Sequence, residues 1–251
     1  MHAPLELADL AADTLTRIRA RRPRVHCVTN TVAQQYTANM LLAAGAVPSM
    51  TISPEEIAAF AASADGLLVN LGTFDAERRA AIGMALATFG DNKKPWALDP
   101  VFIERSPGRA QFARELMARR PAVVRLNQAE FTALSGGQSP EHFAKEQRTI
   151  VALTGDHDLV TDGERRATIA NGDPLMGAVT AMGCAGSALV CAALAVEPDA
   201  WLAAAAALLA LGVAGEIAAK EARGPGSFAS AIIDAFYGLD RAALRGRAKV
   251  S

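Results

Sequence analysis

The segment Val179-Thr180-Ala181-Met182-Gly183-Cys184-Ala185-Gly186-Ser187 carries small residues straight from a loop into a long helical pattern. A helix start of this kind exposes free backbone N–H groups and the positive end of the helix dipole, and either can hold a phosphate. A cysteine in its first turn would feel the same field. That field draws a thiol down from its free value of about 8.5 toward neutrality, where it could serve as a base. From spacing alone, close packing of a neighbouring helix is the commoner reason for Cys184, Ser187 and Ala188 to be small. The segment by itself therefore names no reaction.

A second group stands where apolar runs end: Asn30, Asn70-Leu71-Gly72-Thr73, Asp99-Pro100, Arg125-Leu126-Asn127 and Thr154-Gly155-Asp156. Strand ends of an open α/β sheet face one ligand crevice, so these residues should converge. Asp99 and Glu130 suit Mg²⁺, which takes one or two carboxylates beside substrate phosphates and keeps some of its water. Arg125 suits phosphate. Each also has a structural reading, since Asp-Pro is a common turn and Asn127 with Glu130 is an ordinary helix start. His26, inside an apolar run, is expected to be hydrogen-bonded and structural. His2, His142 and His157 lack partners at metal or triad spacing, which argues against a His-based hydrolase. Met50, ending another run, is core filler by default, although methionine also suits contact with a sulfur-containing or aromatic ring.

The runs that must position these residues are 24–28, 47–50, 66–70, 95–98, 122–125 and 149–153. Alternating with helical patterns, they predict a mostly parallel sheet with crossover helices. Ser53, Asp75 and Asn127 read as helix caps. Asp162-Gly163 inside 158–170 predicts an antiparallel edge hairpin. From Cys184 onward the chain reads as helix, broken at Gly224 to Gly226. The uncharged stretch from Trp201 to Gly215 falls short of a membrane span and is expected to be a buried helix. No repeat or linker divides the 251 residues, so one domain over 1–251 is expected. A net charge of −1 gives no field for nucleic acid, and no membrane segment is expected. Three cysteines, Cys27, Cys184 and Cys191, without C-x-x-C spacing fit a reducing, cytoplasmic setting, with Cys27 and Cys191 in the core.

Taken together, Val25-His26-Cys27-Val28-Thr29-Asn30, Gly45-Ala46-Val47-Pro48-Ser49-Met50, Leu98-Asp99-Pro100-Val101, Arg125-Leu126-Asn127-Gln128-Ala129-Glu130 and Thr154-Gly155-Asp156-His157-Asp158 resemble the hydroxyethylthiazole kinase family in order and spacing. The resemblance resumes at Val160-Thr161-Asp162-Gly163, Asn171 to Met176 and Gly183-Cys184. It implies a ribokinase-like three-layer α/β sandwich. It also implies ATP- and Mg²⁺-dependent phosphorylation of the hydroxyl of 4-methyl-5-(2-hydroxyethyl)thiazole in thiamine salvage, by a homotrimer with active sites near subunit boundaries. Matched by motif, Met50, Ala181, Asn30 and Gly72 would contact the thiazole alcohol, and Arg125 and Thr154 would contact ATP. Asp99 and Glu130 would support the metal. Cys184 would stand where most ribokinase-like enzymes place an aspartate base.

Two segments depart from the family pattern. Thr180-Ala181-Met182-Gly183-Cys184 replaces Thr-Gly-Thr-Gly-Cys. If the loop needs positive φ at its second position, Ala181 costs roughly 1 kcal/mol. After Asp99-Pro100-Val101, a small Gly-containing segment becomes Phe102 to Ser106. The connection from Leu134 to Thr149 is also shorter than usual, which suggests a trimmed helix. Two other readings share these motifs: a hydroxymethylpyrimidine kinase, and a non-catalytic thiazole-binding trimer in which Ala181 and Met182 have spoiled the anion hole.

Overall fold

A computed structural model describes residues 4–91 and 94–251. Helix α1 (Pro4–Arg21) leads into β1 (Arg24–Val28), α2 (Gln34–Ala44), β2 (Val47–Ser49), α3 (Ile57–Ser63), β3 (Gly66–Asn70), α4 (Ala76–Asp91) and β4 (Trp96–Asp99). Then come α5 (Pro107–Met117), β5 (Val123–Asn127), α6 (Gln128–Ser135), α7 (Pro140–Gln147) and β6 (Ile150–Thr154). Strands β7 (Asp158–Thr161) and β8 (Arg166–Ile169) form the expected hairpin, and α8 (Met182–Leu194), α9 (Ala200–Ala219), α10 (Pro225–Tyr237) and α11 (Arg241–Arg247) follow. Every predicted strand forms at its expected place, with ends shifted by two residues or fewer.

The sheet order is β2-β1-β3-β4-β5-β6-β7-β8. It is parallel from β2 to β6, and β7 and β8 run antiparallel at one edge. Strand periodicity sends alternate side chains to opposite faces, and the core divides accordingly. Val25, Cys27, Leu68, Ala97 and Val123 pack with α1, α2, α8, α9 and α10. Val28, Leu67, Val69, Leu98 and Val124 pack with α3 to α7. The result is a three-layer sandwich. The chain passes from β1 out to β2 and returns past β1 to β3, so strand order reverses between β1 and β3. Ligands of open α/β sheets bind beyond the carboxyl ends at such a reversal. Asn30 lies just after β1, and Asn70 ends β3.

Three details differ from expectation. Helix α3 starts at Ile57 with Glu56 as its cap residue, and Ser53 Oγ instead accepts the Glu55 N–H in the preceding turn. Asp75 and Asn127 do cap, accepting the N–H groups of Arg78 and Glu130. The Ala-rich helix is buried as expected, but it does not fall short of a membrane span. At 20 residues α9 has the length and composition to cross a membrane, yet 78% of its apolar window is buried inside the fold. Its alanines let α1, α8 and α10 pack against it closely. The shortened connection after Leu134 still carries α7.

Candidate active site

Cys184 stands in the first turn of α8, opposite the reversal between β1 and β3. Its Sγ accepts hydrogen bonds from Asn30 Nδ2 at 3.2 Å and Asn70 Nδ2 at 3.3 Å. The Asn70 amide also reaches Asp99 Oδ2 at 2.8 Å, and Ser187 Oγ donates to the same oxygen at 2.8 Å. Asn70 Oδ1 accepts from Asn30 Nδ2 and from the Gly72 N–H, at 3.2 and 3.0 Å. A Cβ on Gly72 would lie 2.6 Å from Asn30 Nδ2, so only glycine leaves room for that carboxamide. Among the described residues, Asn30 Oδ1 is buried without a partner. A buried acceptor left unsatisfied in this way can take a donor from a ligand.

Burial sets the electrostatics here. It pushes the Asp99 carboxyl up to about 6; Arg125 opposes the shift and Glu130 adds to it. Burial, followed by the Asp99 charge, pushes the Cys184 thiol up to about 11, against the two asparagine amides and Arg125. The expected drift of Cys184 toward neutrality is therefore reversed, with loss of water as the largest cause. At neutral pH the thiol keeps its proton.

Both Glu130 oxygens accept backbone N–H groups, from Phe102 and Asn127, each at 2.8 Å. Glu130 thus closes a capping box with Asn127 while its charge bears on Asp99. Two buried carboxylates that repel one another fit a divalent cation. Among the described residues no group of three or more His, Cys, Asp and Glu comes together, so a metal held here would need the substrate phosphates to complete its shell.

Arg125 projects from β5 toward the same helix start. Cβ atoms placed on Gly183 and Gly186 would each lie 3.4 Å from its guanidinium, so the glycines of α8 let the cation lie against the helix. Its buried Nε has no acceptor among the described residues. At the head of α8, Met182 and Ala185 donate their N–H groups to Val179 and Ala181. Among the described residues, the N–H groups of Gly183 and Cys184 find no backbone acceptor outside the helix. Arg125, Thr154, Gly155, Asp158, Asn171, Gly172, Met176, Met182 and Gly183 line a cavity of about 580 Å³, enough for a nucleotide. A wider groove of about 1200 Å³, beside Trp96 and Ala122, opens at the amino ends of the strands and contains none of these residues.

Ala181 holds φ +71° and ψ 0°, the left-handed conformation for which glycine is suited. Met50 lies just past β2, half-buried against the core. No hydrogen bond ties it to the Cys184 cluster, and the sheet places it one strand beyond Asn30. His26 is structural as expected: its ring nitrogens bond Ser49 Oγ at 2.8 Å and the Thr51 carbonyl at 3.1 Å, on either side of Met50.

Asn30, Gly72, Asp99 and Cys184 thus share one network, Arg125 and Thr154 line the adjoining cavity, and the Glu130 charge bears on Asp99. Sequence reasoning missed Asp158, whose carboxyl burial pushes up beside Arg125, and Arg109, which bridges the carbonyls of Val101 and Gly72. It saw Ser187 only as a small residue. The Ser187 bond to Asp99 depends on where α8 crosses β4, which no local pattern reports.

The model of the hydroxyethylthiazole kinase family matches residues 15–142 and 137–242. A probable hydroxyethylthiazole kinase of Agrobacterium fabrum is 45% identical over 235 residues, covering 94% of this chain and 92% of its own. The solved structure of a hydroxyethylthiazole kinase from Pyrococcus horikoshii superposes with a TM-score of 0.93 at 36% identity, covering 97% of this chain and 98% of its own. A ribokinase-like superfamily protein of Enterococcus faecalis, 13% identical with a TM-score of 0.66 over 91% of this chain and 93% of its own, shares the fold. With its sequence matched over most of its length and its cysteine, asparagines and aspartate gathered at one helix start, the chain belongs to the hydroxyethylthiazole kinase family, as a phosphotransferase of ribokinase-like fold.

Proposed function

We propose that the protein transfers the γ-phosphoryl group of ATP to the hydroxyl of 4-methyl-5-(2-hydroxyethyl)thiazole, a salvage step toward thiamine. The observation that carries this reading is the Asn30-Asn70-Cys184-Asp99 network set against free N–H groups of α8, in a chain of this family. Phosphoryl transfer runs through a loose transition state, so catalysis is mainly positioning and charge stabilisation. Arg125 and Thr154 hold ATP in the adjoining cavity, with the unpartnered Arg125 Nε directed at phosphate. The Gly183 and Cys184 N–H groups steady the charge on the transferred group.

Asn30 Oδ1 accepts the substrate hydroxyl, and Cys184 orients that hydroxyl at the phosphoryl group. A thiol held near 11 carries its own proton at neutral pH, so as the hydroxyl oxygen bonds to phosphorus and the bond to ADP breaks, the hydroxyl proton passes to an oxygen of the transferred phosphoryl group and then to water, which a loose transition state permits. Met50, Ala181 and Gly72 shape the thiazole's place. Asp99 and Glu130 would hold Mg²⁺ partly through water, and the ion when bound would neutralise the β- and γ-phosphates.

The remaining expectations belong to the same reading: residues 1–251 act as a single cytoplasmic domain, with neither nucleic acid nor membrane as a partner. Three copies assemble with their sites near subunit boundaries. The half-exposed Leu42, Val47 and Phe60 beside edge strand β2 support that assembly. Ala181 already holds the left-handed geometry, which counts against a spoiled anion hole. Incubation with γ-labelled ATP, Mg²⁺ and the thiazole alcohol should give labelled thiazole phosphate. Label on hydroxymethylpyrimidine alone would move the activity to that alcohol, and binding of the thiazole without product would leave a non-catalytic protein.

A further inference from the structure

Directly after Asp99-Pro100, two residues that are not glycine hold left-handed backbone: Val101 at φ +34° and Phe102 at φ +57°. For a β-branched residue such as valine this is an outlier, and conformations of this kind persist only when their surroundings impose them. Two contacts do so here. Arg109 Nη1 donates to the Val101 carbonyl at 2.6 Å, and the Phe102 N–H donates to Glu130 Oε1 at 2.8 Å. Arg109 Nη2 continues to the Gly72 carbonyl at 3.3 Å, on the loop after β3. The guanidinium thus spans the loops that leave β3 and β4, resting near the Phe74 ring with its centroid 6.0 Å away. Its Nε is buried without an acceptor among the described residues. A half-buried cation engaged with two carbonyls, and with no carboxylate ion pair of its own among the described residues, is a costly strut.

We infer that Arg109 is a positioning residue, which clamps the segment after Asp99 to the segment after Asn70 and so keeps Glu130 facing Asp99. Arg109 acts through backbone: it meets the Cys184 network at the Gly72 carbonyl alone and bonds none of that network's side chains. Its effect on turnover rests on the phosphoryl-transfer reading, whereas its hold on the loop does not.

The test measures hydrogen exchange of peptides covering residues 100–106 in the intact protein, for wild type, Arg109→Ala, Arg109→Lys and Arg109→Ala combined with Val101→Gly. Arg109→Ala should speed exchange there about tenfold or more, with β5 peptides unchanged. Lysine should restore part of the protection. Glycine at 101, which adopts positive φ without the clamp, should restore part of it as well. In kinetics, Arg109→Ala should lower kcat about tenfold and raise the Mg²⁺ concentration for half-maximal rate, with KM for the thiazole alcohol changed less than about twofold. Unchanged exchange at 100–106 overturns the clamp, whatever the substrate. Faster exchange with unaltered kcat and Mg²⁺ dependence overturns the positioning role. Faster exchange in a protein that phosphorylates no alcohol upholds the clamp and removes the functional reading instead. Should Arg109→Ala not fold, Arg109→Lys carries both measurements.

Discussion

Cys184 sits where two asparagine amides and a helix start converge, and its neighbour Asp99 is wholly buried. Replacing sulfur with oxygen in Cys184→Ser puts a hydroxyl of different size and donor strength in place of the thiol. Turnover should fall about 100-fold while KM for ATP moves less than about twofold, because Arg125 and Thr154 are untouched. Steady-state kinetics decides this, and equal turnover removes Cys184 from the mechanism.

Asp99 makes a prediction of opposite sign for stability and activity. Its carboxyl ionises near the ordinary 3.8 in the unfolded chain but near 6 in the folded one. Between those values the folded state binds more protons, so stability declines as pH rises through the window, and above it the buried charge is a standing cost. Asp99→Asn should abolish turnover yet raise the melting temperature at pH 7.5 by several degrees, from a cost on the order of 2 kcal/mol. The gain should vanish below about pH 4. Calorimetry at both pH values checks the sign, and a lower melting temperature at pH 7.5 contradicts it. Asp99 and Arg125 were legible in the sequence because motif and strand-end position both mark them, and Cys184 because motif and helix start do. The direction of the Cys184 shift was not, since burial depends on how α8 seats over β1 and β3.

At the scale of elements, the head of α8 and the turns after β3 and β4 decide whether these groups meet. Ala181 at φ +71° adopts a conformation in which glycine avoids the Cβ clash. Ala181→Gly should therefore add about 0.5–1 kcal/mol of stability, read from the urea midpoint at unchanged slope. A lower midpoint would show that the alanine methyl contributes packing that outweighs the strain. Gly72→Ala should act the other way. Its Cβ would press to 2.6 Å from Asn30 Nδ2, displacing the amide that bonds Cys184, so turnover should drop about tenfold or more. Apolar runs and caps located the strands because βα alternation is written locally. The start of α3 escaped, since a turn from Ser53 comes before the helix. Arg109 escaped too, because its partners lie on two loops far apart in sequence.

For the whole molecule, the sheet's reversal between β1 and β3 places the network at one end of the sandwich, while edge strand β2 leaves Leu42, Val47 and Phe60 partly bare. Sedimentation equilibrium should give three times the mass of one chain, and Phe60→Glu should shift the population toward monomer. A monomeric wild type would refute the assembly. Class and layering were readable from the alternation of runs, whereas the assembly rests on the family and on an exposed edge. The most direct test compares kcat/KM for the thiazole alcohol and for hydroxymethylpyrimidine with ATP and Mg²⁺. Phosphorylation of the thiazole alcohol should be faster by at least about 100-fold. Equal rates, or product from the pyrimidine alone, would contradict the account.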